Sequence, residues 1–311
     1  MTAHDIPDSP EIRARFDEAQ QAALLSLGLD ATTVAGWEDG YRSHAVEADA
    51  FEWWYLDMQF DDGSTLVTTF FNKPHTDPHG PVAPGVLVIH RAADGTRIKE
   101  TVTAPSTQWS AATDACDVRI GASTLSGDLA TYRLHLESDR VTADLTMTRR
   151  CPSWRPGAGV NYFNEAKTHY MGWVVPVPYG TVEGTVVVDG QERAVTGAGY
   201  HDHNWGNHEM GDALDHWYWG RAHIGDYTVV YVRMTTKGVL GLGQINLPTF
   251  LLATQDRVIT DDLLPLRLET SGDVPGPAAR PTRPTCCGRG RPMRAASACT
   301  SPTRSSSRPS T

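Results

Sequence analysis

The chain has 311 residues, 40% apolar and 21% charged, with 27 basic against 37 acidic side chains. The resulting net charge of −10 excludes the basic face that nucleic-acid binding needs, and without a run of about 18 apolar residues no stable membrane insertion is expected. This length supports a real hydrophobic core without disulfides, and the opening MTAHDIPDSPEIRARF lacks a basic-then-apolar leader, so the expected location is the cytoplasm.

Residues 9–28 predict a helix, with Ser9 as its cap, Pro10 in its first turn and Gly28 at its end. Ile12, Phe16, Ala19 and Ala23 recur at helical spacing and predict a packing stripe. From Phe51 the period becomes two. Glu52, Trp54, Leu56, Met58 and Phe60 share one face, and Trp53, Tyr55, Asp57 and Gln59 the other. Asp61-Asp62-Gly63-Ser64 turns the chain into a strand over 65–71. The same rhythm pairs 86–91 with 97–103, 132–136 with 141–147, 185–188 with 192–196, and 217–223 with 227–234. Asp94-Gly95, Asp189-Gly190 and Gly225-Asp226 lie at three of these turns.

Many short strands with frequent turns predict an all-β fold, an antiparallel barrel or sandwich. No strand–helix alternation supports a Rossmann or TIM fold, and no phosphate loop, dinucleotide fingerprint or nucleophile elbow is present. The segment RRCPSWRPGAG, within 148–160, reads as a crossing loop. It would separate a β unit at 40–150 from a second at 160–255, after a helical segment at 1–39. From 276 to 311 there are seven Arg and six Pro but no acidic, aliphatic Val/Ile/Leu or aromatic residue. Such a stretch cannot offset the entropy of ordering, so a disordered tail is expected, either natural or the product of a reading-frame change. Only Cys116 and Cys151 precede the tail, so no disulfide framework is implied.

Four features could carry chemistry. Glu52 opens the Phe51-Glu52-Trp53-Trp54-Tyr55-Leu56 segment on the face of Trp54. Buried there, its carboxyl would hold a proton and suit an acid; alternatively it pairs with an arginine. The segment Gly199-Tyr200-His201-Asp202-His203-Asn204-Trp205-Gly206 puts Tyr200 and Asp202 on one face, and His201 and His203 on the other. It reads as an acid–base pair or as a polar plug closing a barrel end. His201, His203, His208, His216 and His223 raise zinc, but no H-E-x-x-H helix or Cys pair accompanies them, so no metal is expected. Trp173, Tyr179, Trp205, Trp217, Tyr218 and Trp219 are either core or the walls of an apolar pocket that could stabilise a cation.

The EWWYL segment (52–56), HYMGWVVPVPYGTVEGTV (169–186) and V-x-G-x-G-Y-H-D-H-N-W-G (195–206) resemble the carotenoid 1,2-hydratase, or hydroxyneurosporene synthase, superfamily. That superfamily also includes lipocalin-like proteins, kievitone hydratase and fungal Diels–Alderases. The resemblance covers roughly 40–255. It implies two tandem lipocalin-like units and catalysis without metal or organic cofactor. It also implies acid–base roles for a Tyr-x-Asp pair, matched by Tyr200 and Asp202, and for a His-x-Trp pair. At the latter Trp173 is kept, but Met171 stands in place of His, and His169 lies two residues earlier.

These readings together predict a lyase or isomerase acting on a double bond of an apolar isoprenoid or polyene. Asp202 would be the acid, Tyr200 would position it or a water, and Glu52 would hold Asp202 protonated. Trp54, Trp173, Trp205, His201, His203, Trp217 and Trp219 would bind the substrate. A pericyclic cyclase and a lipocalin-like carrier are the alternatives. The oligomeric state is left open.

Overall fold

The computed structural model describes residues 4–164, 166–238 and 244–268. The tail expected at 276–311 lies outside the described residues. The chain opens with β1 (His4–Asp5) and α1 (Pro10–Leu27). It continues through β2 (Phe51–Phe60), β3 (Thr65–Phe71), β4 (Gly85–Arg91), β5 (Arg97–Thr103), β6 (Trp109–Ala111) and β7 (Cys116–Ile120). Next come β8 (Ser123–Gly127), β9 (Thr131–Glu137), β10 (Val141–Arg149), β11 (Val160–Tyr162), β12 (Tyr170–Val188) and β13 (Gln191–Gly206). A helical turn, α2 (Met210–Ala213), leads into β14 (Leu214–Ile224), β15 (Tyr227–Thr236), β16 (Ile245–Ala253) and β17 (Val258–Thr260).

The helix forms as its caps predict. Ser9 accepts from the Ile12 amide at 3.3 Å, and Gly28 takes φ 66°, a left-handed conformation that costs glycine little. The predicted stripe, however, packs little. Phe16 is 39% exposed and Leu24 is the only buried residue of the helix. Small and polar side chains dominate its sequence, and Arg13 ties it down through Asp8 and Asp262.

The strands form two sheets. A 12-stranded sheet runs β5-β4-β3-β2-β13-β12-β10-β9-β8-β7-β6, with β11 beside β12. It curls, so that Ser138, between β9 and β10, donates to Glu100 of β5 at 2.7 Å. The second sheet has five strands, β1-β16-β15-β14 with β17 on β16. All pairings are antiparallel except β1 on β16.

The loop at 148–160 does not divide these sheets. β10, on one side of it, pairs with β12 on the other from Val141↔Val188 to Arg149↔Gly180. β12 and β13 run 19 and 16 residues, far beyond the 185–188 and 192–196 hairpin seen in the sequence. The alternation in β12 is hidden because register shifts fall between Val174 and Gly180, where Pro176 and Pro178 sit without amide donors.

Two cores result. Inside the curled sheet, Trp54, Leu56, Met58, Leu66, Phe70, Val88, Leu125, Leu134 and Val182 pack together. Between the sheets, Phe51, Trp154, Trp173, Tyr200, Leu214, Val230 and Leu251 form the second. Each such side chain contributes roughly 1.5–3 kcal/mol on burial. β2, β12 and β13 are the wall common to both cores.

Candidate active site

Because strand side chains alternate, the β13 wall carries two sets of polar groups. Tyr200, Asp202 and Asn204 face the second sheet. His201 and His203 face the interior of the curled sheet. All five are buried.

On the intersheet face, Asp202 is the centre. Its Oδ2 accepts from Tyr200 Oη at 2.8 Å and from Trp173 Nε1 at 3.1 Å, and its Oδ1 accepts from Asn204 Nδ2 at 2.7 Å. Burial pushes the Asp202 carboxyl up to about 6, against the pull of Tyr200, Trp173, His201 and Asn204. Burial and the Asp202 charge hold Tyr200 well above its ordinary range, so it stays a neutral donor. Three of the four lone-pair positions of the carboxylate are filled, so a proton on Asp202 belongs on Oδ1.

Aromatic rings surround this pair. Trp219 lies 5.4 Å and Tyr55 6.3 Å from the Tyr200 ring, and Trp154 packs edge-on to Trp173 at 5.5 Å. The Arg221 guanidinium lies 5.7 Å from the Tyr200 centroid and is paired with Asp57 at 3.0 Å. Trp217 packs against the same core. Along the same strand face, Ala198 and Thr196 join Tyr179, Thr181, Arg150 and Asp61 around an open cavity of about 500 Å³.

The structure separates the residues the sequence grouped. Trp173, Trp217 and Trp219 lie on the Asp202 side. Glu52, Trp54, His201, His203 and Trp205 do not. Glu52 is fully buried but faces the other way. It accepts from the amides of Arg42 and Ser43 at 2.8 Å each and from His203 Nε2 at 2.7 Å. It therefore pairs with neither an arginine side chain nor Asp202. Trp54 stacks on His203 at 4.6 Å and donates to the Asp39 carbonyl. Trp205 packs against His203 and Arg42.

The remaining histidines scatter. His169 is exposed and stacks on His208, His216 pairs with its neighbour Asp215, and His223 stacks on Tyr179 at 3.6 Å. Sequence reasoning missed Asn204, although it lies two residues beyond Asp202 on the same face. It also missed Tyr55 and Asp57, for which only the alternation of β2 gave a signal, and Arg221 of β14. No helix among the described residues is long and apolar enough to cross a membrane.

Comparison with known proteins gives a consistent picture. The model of a family described as Diels-Alderase-like matches residues 33–265. The quinolone epoxide rearrangement protein asqO of Emericella nidulans is 24% identical over 202 residues, 60% of this chain and 54% of that protein. The match thus spans about half the length of that relative. An AttH structure from Nitrosomonas europaea shares the fold with a TM-score of 0.57 at 17% identity, over 75% of this chain and 74% of that one. Kievitone hydratase from Nectria haematococca does so with a TM-score of 0.51 at 16% identity, over 74% and 68%.

Proposed function

This chain belongs to the Diels-Alderase-like family, and from that premise we propose that it is a cofactor-independent enzyme that activates a double bond of an apolar small molecule, cyclising or hydrating a polyene. One observation carries the reading. A carboxyl group is buried between two sheets among indole and phenol rings, and burial raises its proton affinity toward neutrality. Alkenes are weak bases, so an acid that protonates one must hold its proton near pH 7 and be shielded from water. At pH 7 about a tenth of Asp202 is protonated, given a carboxyl titrating at about 6. Protonation of the alkene leaves a cation that Trp173, Trp219 and Tyr55 can stabilise through their faces. Water then gives a hydratase, and a second double bond gives a cyclase.

The three donors on Asp202 favour a second reading. They stabilise its charged form, which suits a site that orients a folded polyene for a pericyclic closure rather than one that gives up a proton. Turnover of linear polyenes in deuterated water separates the two. Deuterium at a newly saturated carbon supports the acid. Turnover without label overturns it and supports the pericyclic closure, and binding without turnover marks a carrier.

A further inference from the structure

The inner face of β13 holds a second cluster that the reaction above does not use. It brings together three distant segments: the helical turn at Gly36–Asp39, β7 and β13. One ligand atom each from Asp39, Cys116 and His201 lie within 4.8 Å of one another, and all three residues are buried. His201 Nε2 is 3.2 Å from Asp39 Oδ2, and His203 Nδ1 is 3.5 Å from Asp39 Oδ1.

The hydrogen bonds fix where the imidazole protons lie. His201 Nδ1 faces the Tyr55 carbonyl at 2.9 Å, an acceptor only, so this nitrogen must donate. His203 Nε2 faces the Glu52 carboxylate, which already takes two backbone amides, so it too must donate. In the neutral rings, the remaining nitrogens present lone pairs to the two oxygens of Asp39. Asp39 Oδ2 also accepts from Tyr132 Oη at 2.5 Å, so the unmet contact is the one between Asp39 Oδ1 and His203 Nδ1. Asp39 Oδ1 and His203 Nδ1 are fully buried with no hydrogen-bond partner. Orphaned groups of this kind carry a large desolvation cost, so something electropositive belongs between them.

We propose that Asp39, Cys116 and His201 bind a divalent transition-metal ion of the zinc type inside the curled sheet. Sulfur, imidazole nitrogen and carboxylate oxygen together suit such an ion. Tetrahedral bonds of about 2.0–2.1 Å set donor atoms roughly 3.3 Å apart, close to the 3.2 Å between His201 and Asp39. The contact of His201 Nδ1 with a carbonyl is the outer-shell bond that commonly orients a metal-bound histidine. Two extra protons are the competing filling. They would place two imidazoliums beside two carboxylates in the buried interior, at several kcal/mol per buried ion. One dication with the Asp39 carboxylate and the Cys116 thiolate is likewise neutral, and it leaves both imidazoles uncharged. It would pin the turn, β7 and β13 together and have no part in the reaction across the wall.

The test uses the full chain. Elemental analysis of purified protein is expected to find about one zinc per chain, and Co²⁺ replacement to give tetrahedral visible bands with a near-ultraviolet thiolate band. Cys116→Ser is expected to lose the near-ultraviolet band and to weaken zinc binding at least tenfold. Replacing Cys286, Cys287 and Cys299 by Ser is expected to leave both unchanged. If the thiolate band vanishes with those three cysteines but survives Cys116→Ser, the site is not here. Should Cys116→Ser fail to fold, the unmodified protein still decides. Metal-free protein whose melting temperature does not rise with added zinc overturns the proposal and leaves the two protons as the filling.

Discussion

The two faces of β13 are built from adjacent residues, yet they bury charge in different ways. On the inner face, Glu52, Asp39, His201 and His203 engage one another and the backbone, and each is 0% exposed. On the outer face, Asp202 is 6% exposed, sits among aromatic rings, and keeps one acceptor position free. The inner arrangement holds strands together, because all of its polar atoms but Asp39 Oδ1 and His203 Nδ1 are committed to protein partners. If the outer one acts on a ligand, it suits that role because its carboxyl is costly to ionise and incompletely occupied. Burial alone therefore does not separate the two faces; their surroundings do, imidazoles and backbone amides inside, indole and phenol groups outside.

The largest effect that would break this comparison is on the outer face. Asp202→Asn keeps the size of the side chain and removes its proton. If Asp202 is the acid, turnover is expected to fall about 10²- to 10⁴-fold, with ligand affinity nearly unchanged. Steady-state rates and direct binding on one substrate check both halves. A variant that keeps wild-type turnover would refute the assignment.

The inner face should respond in the opposite way. Glu52→Ala leaves His203 and the Arg42 and Ser43 amides without their acceptor. Breaking such a buried pair costs about 3–5 kcal/mol, read as a drop in the urea midpoint. At temperatures where the variant stays folded, its turnover should match the wild type. A stable variant that has lost turnover would mean the two faces are not separate in function.

That division was half legible in the sequence. The period of two put Tyr200 and Asp202 opposite His201 and His203, and put Glu52 with Trp54, without any three-dimensional information. Alternation does not say which face meets which core. Glu52 was consequently grouped with Asp202, whereas the β2–β13 pairing places it beside His203 on the inner face. The partners of the inner face were not legible at all. Asp39 lies in a short turn after the helix and Cys116 on β7, and no local spacing connects either to His201. The caps of α1 were fully local and were read correctly. The second sheet was read through its first hairpin only, because Ile245–Ala253 carries Pro248 within the strand and offers little alternation.

The next effect is a pH dependence. The Asp202 carboxyl lies near 4 in the unfolded chain and about 6 in the fold, raised chiefly by burial. With the folded value raised, the stability linked to neutral Asp202 is complete below about pH 4 and is lost as the pH climbs through about 6. A rise from about 4 to about 6 corresponds to about 3 kcal/mol. Asp202→Asn removes this dependence. The stability of the variant relative to the wild type is therefore expected to improve between pH 4 and 7, measured by urea denaturation. A difference that stays flat over that window would show that the outer-face carboxyl is better solvated than its burial implies.

The smallest effect concerns Tyr200, and it sharpens the comparison most. Tyr200→Phe removes one of two donors on Asp202 Oδ2 and leaves Trp173 in place. A net hydrogen bond is worth about 1 kcal/mol, so turnover is expected to fall only about fivefold. The lost donor favoured the charged carboxylate, so its removal should move the Asp202 carboxyl further up. The alkaline limb of the rate profile, set by loss of the Asp202 proton, should then shift to higher pH. At pH values above the wild-type limb, part of the fivefold loss should be recovered. If Tyr200 instead holds the water that captures the cation, the result differs in both respects. Turnover would fall nearly as far as in Asp202→Asn, and the limb would stay where it is. One pH–rate profile of Tyr200→Phe thus separates a hydroxyl that tunes the acid from one that delivers the nucleophile.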